Sequence, residues 1–229
     1  MKKYIPLILI FPAIFIFFTI GVKLKDVQAV GPLGSEVGFA TLNMAVRTFI
    51  QDNIPEKIQS LCYTFTKLAA VLAILTAAAF ACLGLMQLIK RKSLLKVDRE
   101  ILMLGIVYVV TIVLYILFDK IAINFRPVLE DGVLEPSYPS THTMLVFCIL
   151  GTAVYAFPRY IKEKKLLTAA KIVSIAVVAL TVIGRLVSGV HWFTDIIGGI
   201  LISVSVVVFY KFATYSAEPS TESTGSDKE

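Results

Sequence analysis

Six long apolar runs divide this sequence, and each approaches the roughly 20 residues a helix needs to cross a bilayer core. They are Tyr4 to Val22, Leu68 to Ile89, Ile101 to Phe118, Thr143 to Pro158, Leu166 to Gly184 and Trp192 to Tyr210. Lys171 and Asp195 are the charges inside them, each near the start of its run. In 229 residues, six such runs leave too little polar chain to coat a soluble globule. Composition agrees. Hydrophobic residues make up 57% and charged residues 17%, against about 45–50% and about 25% in soluble domains. The fold class expected is all-α, a polytopic membrane helix bundle with six transmembrane helices. Disorder, a disulfide scaffold and most soluble enzymes are excluded.

The net charge of +6 would raise nucleic acid as a partner in a soluble protein. Here the basic residues cluster between apolar runs, so they read as topology determinants and lipid-headgroup contacts, with no nucleic acid partner. Lys2 and Lys3, then Lys90, Arg91, Lys92, Lys96 and Arg99, then Arg159, Lys162, Lys164 and Lys165 all fall on one side of a six-helix layout. By the positive-inside rule that side is the cytoplasm, and both termini face it. The expected location is the cell membrane.

Residues 1–215 read as one six-helix domain. Within it, residues 23–67 form a long external connection, and Ala40 to Ile50 is a candidate amphipathic helix at the interface. The first run is longer than the about 7–15 apolar residues of a secretory signal, so it reads as a retained helix despite the Val27-Gln28-Ala29 that follows. Residues 216–229, rich in Ser, Thr, Glu and Gly, predict a disordered cytoplasmic tail. Cys62, Cys82 and Cys148 are isolated and read as small core residues.

Charges at membrane depth are costly and mark function. In this topology Lys120, Arg126, His142, Arg185, His191 and Asp195 all land at the outer face, although the helices were oriented without them. The chain has two histidines, and each opens an entering helix on that face. Three segments carry the chemistry: Lys120 to Pro127, Pro139-Ser140-Thr141-His142, and Arg185 with His191 and Asp195. Clustered cations suit an anion, and the guanidinium fork suits phosphate oxygens. Ser140 can cap the fourth transmembrane helix, whose positive end also favours an anion. His191 and Asp195 are four apart and share one helical face, so the carboxylate can hold the imidazole tautomer. That leaves the other ring nitrogen as nucleophile or base, with His142 as the acid that protonates a leaving oxygen. No carboxylate cluster suited to Mg²⁺ or Zn²⁺ is evident, so neither metal nor cofactor is expected. Glu130, Asp131 and Glu135 read as a solvated loop, and Gly198-Gly199 as a site of close helix packing.

These segments resemble the signature of the phosphatidic acid phosphatase type 2 superfamily: Lys-x6-Arg-Pro, Pro-Ser-Gly-His and Ser-Arg-x5-His-x3-Asp. Arg126-Pro127, then Pro139, Ser140 and His142, then Arg185, His191 and Asp195 match it in order, over roughly residues 60–210. Three positions depart. Lys120 stands five residues before Arg126 instead of six, Thr141 replaces Gly, and Gly184 replaces Ser. The resemblance implies a metal-independent phosphomonoesterase or pyrophosphatase acting on a lipid phosphate at the outer leaflet. His191 would attack phosphorus and carry a phosphohistidine, Asp195 would orient it, and His142 would protonate the leaving group. Lys120, Arg126, Ser140, Thr141 and Arg185 would cradle the phosphate. Undecaprenyl pyrophosphate, phosphatidylglycerol phosphate and phosphatidic acid are the implied substrate classes. A lipid phosphotransferase would use the same residues. A non-catalytic lipid-phosphate binding or transport protein would keep the cations without needing the His191–Asp195 pair.

Overall fold

The structure, a computed structural model, describes residues 5–215. The tail expected to be disordered lies outside the described residues. Among them there are seven α-helices and no strand. They are α1 (Ile5–Leu24), α2 (Ala40–Asn53), α3 (Glu56–Arg91), α4 (Arg99–Lys120), α5 (Thr141–Tyr160), α6 (Lys164–Val187) and α7 (Phe193–Tyr215). All but α2 are long and apolar enough to cross a membrane, so the protein is multi-pass.

The helices are helical for a shared reason. In lipid every backbone N–H and C=O must be satisfied within its own segment. Their side chains then sort by partner. Leu, Ile and Val on the outer faces of α1, α3, α4 and α6 are exposed, where acyl chains would cover them. The middle is built from α5 and α7. Met144, Cys148, Ala153 and Ala156 of α5 meet Ile202, Val206 and Tyr210 of α7 and Leu104 and Val107 of α4. Ala69, Ala70 and Ala73 of α3 pack on Val146, Ile149 and Leu150 of α5. Small residues at these seams let backbones approach, which is how helices associate where lipid is as apolar as leucine.

Two expectations need correction. The second apolar run is the inner part of a longer helix. At 1.5 Å per residue the 36 residues of α3 extend about 54 Å, well beyond the about 30 Å of hydrocarbon. Residues 56–67, placed in the external connection, are its first turns, because Glu56 to Lys67 hold no helix breaker. Cys82 is not a core residue: it is exposed on the outer side of α3, whereas Cys148 is buried.

Strict alternation brings the ends of α1, α4 and α6 and the starts of α3, α5 and α7 to one end of the bundle. At the opposite end Asp98 receives Arg91 (2.8 Å) and lies 3.7 Å from Arg159, which also reaches Glu100 at 3.4 Å. Those charges tie α3, α4 and α5 where the basic loops cluster.

Candidate active site

The residues between Val187 and Phe193 turn α6 back into α7 and carry His191 at the turn. Gly189, with φ of +69°, permits the reversal. Asp195, in the first turn of α7, accepts from the backbone N–H of Trp192 at 2.9 Å, so it closes the helix start. The same carboxylate lies 3.5 Å from His191 Nδ1. On the other side of the ring, Arg185 Nη2 stands 2.9 Å from His191 Nε2. A guanidinium can only donate. Nε2 is therefore the acceptor, and the proton of the neutral ring sits on Nδ1, toward Asp195. His191 is buried with Arg185 and Asp195. Burial first, then the charges of Arg185, Arg126 and His142, hold it well below the usual histidine range. The lone pair of a neutral imidazole thus faces the cluster on Nε2, where it accepts from Arg185.

Other donors converge there. Ser140 precedes α5 but its hydroxyl does not cap that helix. Its own N–H is taken by Asp195 C=O at 2.9 Å, and the side chain is turned inward instead. Ser140 Oγ, His142 Nδ1 and Arg185 Nε are buried without a protein partner. Buried polar groups are ordinarily satisfied, so this group fits a polar guest such as an oxyanion. Thr141 is half-buried at the first position of α5. Arg126 is buried, but not as an unpaired cation. Its guanidinium meets Glu130, and its Nε lies 3.2 Å from Glu135. The expectation of a solvated loop for these two carboxylates is corrected.

The reason is a hairpin. Glu130 and Val133 exchange backbone hydrogen bonds of 3.0 and 2.9 Å across Asp131-Gly132, both at positive φ. This is the tight turn that Asp-Gly favours. Further back Arg126 N–H donates to Glu135 C=O at 2.9 Å, which sets the two glutamates on either side of Arg126. The sequence signal was present: Asp131-Gly132 sits between two copies of Val-Leu-Glu.

Lys120 is not brought in. Its side chain is 77% exposed, and its ammonium lies 3.5 Å from Asp119. α4 ends at Lys120, and Ile121 is already extended, so the one-residue shortening is not absorbed by a further helical turn.

Residues that sequence reasoning passed over complete the surround. Tyr63 of α3 donates to Glu130 at 2.5 Å. The Tyr63 ring lies beneath Lys67 Nζ at 4.3 Å and beneath the Arg185 guanidinium at 5.6 Å. Arg47 of α2 donates to Gly189 C=O at 2.9 Å and lies 5.6 Å over the Trp192 ring. The Trp192 indole N–H reaches Phe125 C=O at 2.7 Å, joining the turn of His191 to the loop of Arg126. Gly184, where the signature has Ser, faces Thr66, whose methyl would lie 3.0 Å from any added Cβ. Thr66 fills that space and also reaches Arg185 at 3.5 Å.

The profile of the PAP2 superfamily matches residues 104–217, which hold all three motif segments. The chain belongs to the PAP2 superfamily. Among curated proteins none matches its sequence. The fold is that of a solved transmembrane PAP2-type phosphatidylglycerolphosphate phosphatase from Bacillus subtilis. That structure is 17% identical with a TM-score of 0.62, and the match covers 95% of this chain and 98% of the other. The six-span bundle is therefore the architecture of a PAP2 membrane protein.

Proposed function

We propose that this PAP2 protein is an integral membrane lipid phosphatase working through a phosphohistidine on His191. The observation that carries the reading is the orientation of the His191 ring, with Nε2 as acceptor beside Arg185 and Nδ1 toward Asp195. The family and the phosphatase fold support the same class of reaction.

In this mechanism the phosphate oxygens take the donors of Arg126, Arg185, Ser140 and Thr141. His191 Nε2 attacks phosphorus while protonated His142 gives its proton to the leaving oxygen, and the P–O bond breaks as the P–N bond forms. The imidazolium made at His191 keeps its Nδ1 proton toward Asp195, whose carboxylate stabilises it. His142, now neutral, takes a proton from water, and the hydroxyl attacks phosphorus. Breaking the P–N bond frees phosphate and restores His191. No step needs a metal, and the described residues contain no group of three or more His, Cys, Asp or Glu able to hold one.

The name of the Bacillus subtilis structure makes phosphatidylglycerol phosphate the first substrate to test, beside undecaprenyl pyrophosphate and phosphatidic acid. The basic loops support cytoplasmic termini and an outer-facing site, so a fluorescent protein fused after Glu229 that matures only in the cytoplasm should fluoresce. Detergent-purified protein should release phosphate from a lipid phosphate in EDTA, and His191→Ala should not. Absence of release from all three lipids by folded wild type overturns the reading.

A further inference from the structure

We propose that Lys67 and Tyr63 of α3, rather than Lys120, complete the phosphate pocket, and that Glu130 occupies the anion position until a phosphomonoester displaces it. This rests on the phosphatase reading of the same site.

The position of an anion in this cluster is already marked by one. The Glu130 carboxylate takes the Tyr63 hydroxyl on Oε1 at 2.5 Å and the Arg126 guanidinium on Oε2. Two oxygens on one centre, bound by a hydroxyl and a guanidinium, are the contacts a phosphate would use there. The carboxylate is only partly buried, at 29% exposure, on a hairpin loop and not on a spanning helix. It can swing away without disturbing the bundle. Its charged form is strongly favoured. Burial pushes the group up, but the Tyr63 hydrogen bond and the charges of Arg126, Arg185 and Lys67 outweigh it and hold Glu130 below the usual carboxylate range.

Lys67 is the third cation of this surround. It is exposed at the mouth, with its ammonium over the Tyr63 ring whose other neighbour is Arg185. Its neighbour Thr66 contacts Arg185. Charge balance then selects the guest. With Glu130 swung out, Arg126, Arg185, Lys67 and protonated His142 face Glu135 and Asp195, an excess of two positive charges. A phosphomonoester is a dianion above its second pKa of about 6. Remove Lys67 and the excess falls to one. Lys120, held by Asp119 and mostly in solvent, does not enter the balance.

The test compares Lys67→Gln, Tyr63→Phe, Glu130→Gln and Lys120→Gln with wild type. Turnover of phosphatidylglycerol phosphate is read as KM against kcat, and inorganic phosphate binding is read by calorimetry. One charge-assisted contact is worth about tenfold or more in affinity. Lys67→Gln should raise KM and weaken phosphate binding about tenfold while kcat stays within about threefold. Tyr63→Phe should act in the same direction and less. Glu130→Gln should tighten phosphate, since the competing carboxylate is gone. Lys120→Gln should leave both readouts within about twofold. The proposal is overturned if Lys120→Gln raises KM while Lys67→Gln does not. It is also overturned if Glu130→Gln weakens phosphate, which would make Glu130 only a support for Arg126. Absence of wild-type turnover of all three lipid phosphates would sink the phosphatase reading separately, and calorimetry on the same variants would still decide who holds the anion.

Discussion

Asn43 and Thr194 stand 151 residues apart in sequence and hydrogen-bond to each other twice. Asn43 Nδ2 donates to Thr194 Oγ1 at 2.9 Å, and Thr194 N–H donates to Asn43 Oδ1 at 3.1 Å. Asn43 Nδ2 also reaches Gly38 C=O at 2.8 Å, and Gly38 N–H reaches Asn124 Oδ1 at 3.1 Å. All of this is buried. One side chain of α2 therefore satisfies an early N–H of α7, three residues after His191, and anchors the loop before Arg126.

Asn43→Ala should consequently injure both stability and turnover. It strands the buried N–H of Thr194 and the Gly38 carbonyl, at about 1–3 kcal/mol for a buried group left unsatisfied. Thermal unfolding of purified protein should occur at lower temperature, and kcat should fall while KM for the lipid changes little. An unchanged unfolding temperature would mean that α2 does not brace the turn.

Asp195→Asn separates charge from folding. An Asn oxygen can still accept from Trp192 N–H, so the start of α7 survives. That oxygen is the one that also faces His191 Nδ1, so the ring tautomer is kept and what is lost is the charge that stabilises the imidazolium. Phosphate release should drop about 10²–10⁴-fold with little change in unfolding temperature. Full activity in this variant would show that the Asp195 charge does not stabilise the phosphohistidine imidazolium.

The depressed His191 pKa has a definite sign for stability. The folded protein keeps the ring neutral well below its ordinary value of 6.5, while the unfolded chain takes up a proton near that value. Below about pH 6.5 the unfolded state binds more protons, so stability is lost as pH falls. Unfolding temperature should drop more between pH 7.5 and pH 5 for wild type than for His191→Gln. Equal drops would show that His191 protonates freely in the fold.

Gly198→Ala tests the seam between α7 and the segment bearing Ser140 and His142. A Cβ at 198 would lie 2.5 Å from Tyr138 Cε2 and 2.8 Å from its hydroxyl. Tyr138 is buried, and its hydroxyl lies 2.8 Å from Thr19 Oγ1 of α1, so it has nowhere to retreat. Overpacking of this kind costs about 1–3 kcal/mol. Unfolding temperature and kcat should both fall. A wild-type profile would show that the seam is loose.

The six spans are readable from sequence because lipid enforces one simple rule, an unbroken apolar length. The motif residues are readable because His142, His191 and Asp195 are costly at that depth and fall on one face. What fails is everything set by tertiary approach. Asn43 looks like an ordinary polar position on the amphipathic Ala40–Ile50 segment, and only the packing of α2 on α7 gives it a partner. Glu130 looks solvated because Tyr63 arrives from 67 residues away and the hairpin turns Glu130 back onto nearby Arg126. Lys67 looks like a basic flank of the apolar run from Leu68, because only the folded chain shows α3 starting at Glu56. Lys120 is placed in the site by its outer-face position and its likeness to the Lys of Lys-x6-Arg-Pro, yet the extended backbone at Ile121 carries the chain onward and leaves that side chain behind.

α5 is the least apolar of the six spans and the most enclosed, with half of its central stretch buried against 6% in α1. Thr143 and Thr152 lie along it, both fully inside the bundle. Such a segment gains least from the hydrocarbon and most from neighbours already in place. During synthesis α5 is thus the helix most dependent on the four helices made before it, and the histidine it carries reaches its final depth only as α6 and α7 close the assembly behind it. A mutation on the lipid side of α3 or α4, remote from every reacting atom, would then show itself first as a shortage of correctly inserted protein.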